Sequence, residues 1–326
     1  MNHILGICIP TYNREILLMN NLHSLIPQFM QFNLPIYISD NCSEDNTNKR
    51  VEELIKLYPH VYLKRNNSNL GMYLNIISAI KMAKTEYIWL MGDDDEIQEN
   101  AVSVILEYLK EKPDFLVLNA KPHDSSLQAK RLKKIVPCQT DLFYPPFSHR
   151  DLLVMLKNRA FHGYMSSMII RKDLFDPLLP TFEDPSFELF GNIWLPLILF
   201  YRAIENRRGI FVCKPLINNR ENPRSTGENY YEHSHLDYLN AIFFLHSYGY
   251  DIVTLKRATH RGIFFTITFL IIVKSNEDLD WLVLTNEGPQ KIASFFEQIL
   301  MNILNITPIW LIKILSKIIL KFKQYT

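Results

Sequence analysis

Three carboxylates stand on consecutive residues, Asp93, Asp94 and Asp95, directly after the apolar run YIWLM and one residue past Gly92. Like charges so close repel one another, and the cluster is costly unless a cation sits among them. Hard oxygen donors of this kind select Mg2+ or Mn2+, and such an ion keeps positions open through which it can bridge to a diphosphate. The competing reading is that Asp95 and Glu96 merely open the helix expected from Asn100, favoured there by its dipole. Two more polar segments follow apolar runs: Pro10-Thr11-Tyr12-Asn13-Arg14, and Ser39-Asp40-Asn41-Cys42-Ser43-Glu44-Asp45. A fixed carboxylate such as Asp40 can accept from a pyrimidine N–H while a neighbouring loop covers the ring. Alternatively, Asp40 and Asn41 form a turn, with Ser43 or Asp45 as a helix cap.

These segments need elements to bring them together, and the first 120 residues supply a βαβ rhythm. Apolar runs at 4–9, 36–39, 61–64, 87–91 and 115–119 read as strands, and amphipathic stretches at 15–26, 45–58, 72–83 and 100–110 read as helices. The expected fold class is α/β, a mostly parallel sheet with helices on both faces. Ligands of such sheets collect at the strands' carboxyl ends, where all three polar segments fall. Residues 121–150 carry four prolines among basic residues and read as a long loop. A strand at 166–170, an acidic loop, a helix at 192–204 and a polar stretch at 218–232 follow, and the remainder reads as helical. The expected organisation is a catalytic domain over 1–230, with a nucleotide-binding half (1–120) and an acceptor half (121–230), then a helical region over 231–326.

Composition narrows the function. Lys plus Arg number 35 against 34 Asp plus Glu, so there is no global field to draw a polyanion, and a general nucleic-acid partner is excluded. Only 10 glycines occur, which argues against a glycine-rich phosphate loop and leaves the phosphates to a metal. The four cysteines are far apart and form no C-x-x-C pair, which argues against a zinc site or a disulfide framework. The amino terminus carries no secretory pattern, and the longest uncharged apolar run, about 12 residues, is short of the roughly 20 that span a bilayer. A cytoplasmic protein is expected.

The ordered series PTYNR, SDNCSEDNT, SNLGMYLN and YIWLMGDDDE resembles the nucleotide-sugar-binding half of family 2 glycosyltransferases with the GT-A fold. Within that family it is similar to bacterial enzymes of O-antigen or capsule assembly, including abequosyltransferases, which share the S-D-N and G-x-D-D forms. The resemblance implies that Pro10, Thr11, Tyr12, Asn13, Arg14, Asp40, Asn41, Asn69, Gly71 and Asn75 surround the nucleotide sugar. Asp94 would be the principal ligand of Mn2+ or Mg2+. Gly92 stands where most relatives place the first Asp, and Asp93 is the candidate to replace that charge. Relatives place a Glu-Asp pair about 90 residues beyond the metal motif, its Asp being the general base. Asp184 lies 90 residues after Asp94, with Glu188 as the rival because relatives enter a helix directly after the pair. Arg220 and Ser225 resemble a late loop that closes on the diphosphate. The implied reaction is metal-assisted, inverting transfer from a nucleotide sugar to a lipid-linked glycan at the inner face of a bacterial membrane. A nucleotidyltransferase and an inactive sugar-nucleotide-binding scaffold are the other classes considered.

One local charge feature completes the reading. Over 308–323, Lys313, Lys317, Lys321 and Lys323 share one helical arc, and Leu311, Ile312, Ile314, Leu315, Ile318, Ile319 and Phe322 fill the other. Such a basic amphipathic helix suits an anionic membrane surface. Packing on the protein's own core or on a second copy in a homodimer is the alternative.

Overall fold

Strand β1 (His3–Thr11) is apolar almost throughout because it lies in the middle of a sheet covered on both faces. Successive side chains alternate between those faces, and Leu5, Ile7, Cys8 and Ile9 are all fully buried. Three parallel strands accompany it, β2 (Ile36–Asp40), β3 (Val61–Arg65) and β4 (Thr85–Leu90), in the spatial order β3-β2-β1-β4. They are joined through helices α1 (Glu15–Gln31), α2 (Thr47–Ile55) and α3 (Gly71–Met82). Each crossover returns the chain to the same end of the sheet, so all the βα loops open on one edge. The computed structural model describes residues 3–122, 139–144, 164–192 and 194–220, with Ala241, Phe244, Leu245 and Leu311 beyond them.

Beyond β4 the sheet becomes mixed. The elements are β5 (Glu96–Ile97), α4 (Ala101–Leu109), β6 (Phe115–Pro122), β7 (Leu142–Tyr144), a 3-10 turn at Met165–Ser167, β8 (Met168–Arg171), α5 (Lys172–Phe175), α6 (Leu179–Glu183), α7 (Leu195–Ala203) and β9 (Gly209–Asn219). The order continues β4-β8-β6-β9-β5, with β7 also on β9. Of these pairings only β6 with β9 is parallel; β8, β5 and β7 run antiparallel to their partners. The expectation of a mostly parallel sheet therefore holds for the first half, while the second half is mixed.

Strand β9 has no counterpart in the sequence reading. Its run GIFVCKPLINN is interrupted by Lys214 and Pro215, and the register against β6 shifts between Leu118 and Ala120. Asn119 Nδ2 donates to the Cys213 carbonyl at 3.0 Å within that irregularity. The bend lets the first half of β9 pair with β7 and its second half with β5, which delivers Arg220 to the end of the sheet that bears the carboxylates. Cys213 is disulfide-bonded to a partner outside the described residues. This departs from the expectation drawn from cysteine spacing, since separation along the chain does not limit which cysteines a fold brings together.

By its internal contacts the chain divides into two units, Met1–Asp151 with Asn158–Ser225, and Leu152–Lys157 with Thr226–Thr326. All the strands above belong to the first. In the second, Ala241, Phe244, Leu245 and Leu311 are helical. The rest of the amphipathic 308–323 segment, and Ser225, lie outside the described residues. Among the described residues no helix is long and apolar enough to cross a membrane.

Candidate active site

The register fixes which loops meet. Thr11 at the end of β1 is paired with Asp40 at the end of β2, and the ladder continues past the strands through Asn41 N to Thr11 O at 3.0 Å and Met91 N to Cys8 O at 3.0 Å. The three polar segments therefore leave the sheet side by side.

The three consecutive carboxylates divide between two sets of partners, Asp93 with Asp94 on one side and Asp95 on the other. Asp93 accepts from Thr11 Oγ1 at 2.7 Å through Oδ2 and from Arg14 Nη1 at 2.8 Å through Oδ1. The same Arg14 nitrogen lies 3.2 Å from Asp94 Oδ2. Asp95 turns the other way: Oδ2 accepts from Ser166 Oγ at 2.5 Å and Oδ1 from the Arg220 amide at 3.0 Å. The Tyr164 hydroxyl also reaches Asp95, and Arg220 Nη2 is held by Glu96 at 2.7 Å. Burial pushes the Asp93 carboxyl up to about 6, helped by the Asp94 charge and opposed by Arg14. Burial likewise pushes Asp95 up to about 7, with the Asp94 charge adding to it. Asp94 is raised by burial too, with Arg14 opposing.

Gly92 makes room for this arrangement. Its amide donates to Ser166 Oγ at 2.9 Å, and a Cβ there would meet Asp94 Oδ1 at 3.1 Å and Asp95 Oδ2 at 3.3 Å. The loop is fastened from below by a polar row on α1. Asn21 Nδ2 donates to the carbonyls of Gly92 at 3.0 Å and Asp95 at 2.6 Å, Ser24 Oγ accepts from Ile97 N at 3.2 Å, and Gln28 bonds Gln98 O and Val102 N. Residues 21, 24 and 28 recur at helical spacing, so one face of α1 grips the whole turn. Asn21, Ser166, Tyr164 and the supporting role of Asp95 were not identified from sequence. The spacing of the three polar α1 positions was the available signal, but polar residues at such spacing ordinarily face water.

The β2 loop is built from amides. Asn41 Nδ2 donates to Asn69 Oδ1 at 2.7 Å and to Gly71 O at 3.2 Å, and its Oδ1 accepts from Asn66 Nδ2 and Leu70 N. Asn75 bridges the strands by donating to Thr11 O and Ser39 O, both within 3.2 Å. The expected group Asn41, Asn69, Gly71 and Asn75 is thus brought together, but its hydrogen bonds hold the loops themselves. Asp40 is fully buried, and its Oδ1 accepts from the Ser43 amide and hydroxyl, as a turn residue would. Among the described residues its Oδ2 has no hydrogen bond, although Arg65 Nε stands 3.6 Å away. Asn13, in the left-handed region at φ 52°, caps the neighbouring loop through Glu44 N at 2.7 Å. Pro10 is half-buried beside these groups, and Tyr12 is exposed.

The two base candidates lie on one exposed segment. Asp184 follows α6, and its Oδ1 accepts from both Ser186 N and Ser186 Oγ at 2.8 Å, bonds that hold its carboxyl below the usual carboxylate range. Its neighbour Glu183 pairs with Lys81 at 2.8 Å, in the last turn of α3, whereas Phe190 packs on Tyr73, in the first turn. Eight helical residues separate Lys81 from Tyr73, about 12 Å of rise. The segment thus runs from the last turn of α3 at Glu183 to its first turn at Phe190, and Glu188 precedes Phe190 by two residues. The turn that enters α7 is made by Asn192, whose Oδ1 accepts from Trp194 N at 2.8 Å.

The sequence matches the profile of "Glycosyl transferase family 2" over residues 6–179, more than half of its 326 residues, and the chain belongs to that family. The class is therefore that of the glycosyltransferases, with the GT-A fold. Abequosyltransferase RfbV of Salmonella typhimurium is 27% identical over 226 residues, 66% of each chain, so the match leaves about a third of that relative unspanned. The "GalNAc(5)-diNAcBac-PP-undecaprenol beta-1,3-glucosyltransferase" of Campylobacter jejuni is 30% identical over 108 residues, 33% of this chain and 35% of that one. S. aureus TarS 1-349 in complex with UDP-GlcNAc superposes with a TM-score of 0.58 at 16% identity, over 91% of this chain and 78% of that one. The mannosyltransferase PcManGT from Pyrobaculum calidifontis, solved with GDP-Man and Mn2+, gives 0.51 at 13% identity over 98% and 87%.

The raised Asp95 carboxyl has a consequence for stability. Its folded value of about 7 lies above the ordinary 3.8, so the folded state binds the proton more tightly. That stabilisation is complete below about pH 4 and is lost as pH rises through about 7. Melting temperatures measured without divalent metal from pH 5 to 8 should fall more steeply for the wild type than for Asp95→Asn; parallel curves would show that Asp95 does not titrate there.

Proposed function

We propose that the chain transfers a sugar from a nucleotide-sugar donor to a glycan acceptor, with Asp93 and Asp94 holding a divalent metal, Mn2+ or Mg2+, against the donor diphosphate. The observation that carries this is the convergence of Asp93 Oδ1 and Asp94 Oδ2 on a single point, the Arg14 Nη1 position, at the carboxyl edge between the β1 and β4 loops. Two carboxylates completed by substrate oxygens and water are an ordinary donor set for Mg2+, so the residues present fit the ion. When bound, the metal supplies Lewis-acid stabilisation of the departing diphosphate.

The chain's own residues do the rest. Thr11 fixes the Asp93 rotamer, and Asp95, held by Ser166, sets the turn from which Asp94 projects. Asp40 Oδ2, a buried acceptor without a hydrogen bond among the described residues, is the group for a base N–H, with Arg65 beside it. Pro10, Tyr12 and Asn13 line the same edge. Arg220, whose amide at the end of β9 is bonded to Asp95, and Ser225 are the residues we assign to the diphosphate. A carboxylate on the 183–190 segment takes the proton of the acceptor hydroxyl as it attacks, in an inverting displacement. Between the two, the run of the segment toward the first turn of α3 favours Glu188, while the 90-residue spacing favours Asp184. A lipid-linked acceptor is supported by the polyprenyl diphosphate in the Campylobacter relative's name. With such an acceptor, the 308–323 helix would rest on the cytoplasmic face of the membrane, leaving 1–230 as the catalytic domain.

Asp94→Asn should abolish transfer from any accepted donor with little change in melting temperature; near wild-type turnover would remove Asp94 from the site. Replacing the true base should lower kcat by about 10² to 10⁴ with donor affinity kept. We expect that loss in Glu188→Gln, and a loss confined to Asp184→Asn would return the role to Asp184. Changing Lys313, Lys317, Lys321 and Lys323 together to Gln should reduce sedimentation with phosphatidylglycerol vesicles, as should raised salt for the wild type. Equal sedimentation of both proteins at all salt concentrations would remove the membrane role.

A further inference from the structure

Arg14 belongs by sequence to the β1 loop, where a cation near a donor diphosphate needs no further explanation. In the structure its guanidinium is directed elsewhere. One nitrogen, Nη1, is 2.8 Å from Asp93 Oδ1 and 3.2 Å from Asp94 Oδ2, so it marks the point on which both carboxylates are aimed. Asp93 is almost fully buried and the Asp94 side chain largely so, at 7% and 20% exposure, which leaves solvent little part in screening the pair. Arg14 itself is anchored through its backbone, its amide donating to Thr47 Oγ1 at 3.2 Å and its carbonyl accepting from Leu18 N at 2.9 Å. The backbone therefore stays in place if the side chain turns. The guanidinium stands about a quarter exposed, at the rim rather than the floor of the site.

We propose that Arg14 is a built-in counter-cation that competes with the divalent metal for Asp93 and Asp94, and that it passes to the donor diphosphate when metal and nucleotide load together. This rests on the reading of Asp93 and Asp94 as the metal-binding pair. The chemistry is symmetrical. A small divalent ion and a guanidinium nitrogen cannot occupy the same point, so bare metal must displace a charge-assisted, two-carboxylate contact before it binds. A diphosphate changes that balance, because it offers ligands to the metal and a planar, bidentate partner to the released guanidinium. Metal and nucleotide thereby become positively coupled through Arg14, each raising the other's affinity by the same factor. The device holds the carboxylates paired and unavailable to adventitious cations until the donor arrives. Arg220 does not substitute for it, since its Nη2 is held by Glu96 and its amide by Asp95.

The test is Mn2+ binding to the full-length protein, followed by the electron paramagnetic resonance signal of the free ion, with and without UDP or GDP. Removing the competing contact in Arg14→Gln should tighten the binding of Mn2+ alone by about tenfold or more, the size set by a charge-assisted hydrogen bond. It should shrink the tightening produced by nucleotide correspondingly. Arg14→Lys, which keeps a charge, should stay close to wild type. Binding of Mn2+ alone that is no tighter in Arg14→Gln overturns the proposal while leaving the metal site itself intact. A different result separates the underlying reading: if Asp94→Asn binds Mn2+ with nucleotide as well as wild type, the ion does not sit on these carboxylates and both fall. Should Arg14→Gln fail to fold, the wild type still decides. The Arg14 guanidinium 15N resonance, assigned by its loss in Arg14→Lys, must move when Mg2+ and nucleotide are added together, and an unmoved signal counts against the transfer.

Discussion

Three carboxylates on consecutive residues can share one buried turn only if partners are supplied to offset their mutual repulsion. Much of the architecture around residues 92–96 follows from that constraint. Asp93 and Asp94 share Arg14, whereas Asp95 is rotated away onto Ser166, Tyr164 and the Arg220 amide. Those partners come from the β1 loop, the turn before β8 and the end of β9, so the electrostatic solution joins the two halves of the sheet. An unpaired carboxylate buried here would cost several kcal/mol, on the order of an entire domain's margin of stability. The repulsion that makes the site competent for a cation is thus also what ties distant strands to it.

Charge pairing sets the direction of each carboxylate, but hydrogen bonds to neutral groups set the path of the backbone beneath them. Asn21, Ser24 and Gln28 on α1 bond backbone groups of Gly92, Asp95, Ile97, Gln98 and Val102. On the other side of β1, Asn41, Asn66, Asn69 and Asn75 exchange bonds among themselves and with the ends of β1 and β2. Amides suit this work because each carries donors and an acceptor and neither adds charge to a region already crowded with it. A loop fixed by side chains from a rigid helix and a rigid strand keeps its geometry by those bonds alone.

The first four strands and helices α1 to α4 were legible because each apolar run is long enough, and each helix periodic enough, to exclude the alternative. The carboxylate cluster was legible for a similar reason, since its composition is hard to explain without a cation. Strand β9 was not, because Lys214 and Pro215 break its pattern at the very bend that lets it reach β5. The 3-10 turn carrying Ser166 was read as part of the following strand, and nothing in MSSMII marks a serine that supports a carboxylate 71 residues earlier. Asn21 illustrates the general limit. A polar residue on the buried side of an amphipathic helix looks like a mild exception to the period, and only the position of its partner reveals a function. Asp184 is a different case, a residue marked by spacing whose Oδ1 accepts from its own loop while the residue stays exposed.

Gly92 links these levels. By resemblance it stands where a further metal-binding acid is common, and the simplest account would be a weakened site. The structure gives the position a different content. With no Cβ at 92, Ser166 Oγ can lie 2.9 Å from the Gly92 amide and 2.5 Å from Asp95 at once, a bridge that a side chain at 92 would crowd from Asp94 and Asp95. An acid at 92 would also add a fourth charge to a turn whose available counter-groups, Arg14 and the Ser166 bridge, are already committed. The glycine therefore exchanges a ligand for a support. Asp93, one residue on, shares with Asp94 the contact to Arg14, and Thr11 keeps it in that rotamer. On the proposed reading of Asp93 and Asp94 as the metal-holding pair, that pair stands on adjacent rather than alternate residues. Neighbouring side chains on an extended backbone point apart, so the two can converge on one nitrogen only because the chain turns sharply at this point, in the turn that Asn21 holds closed.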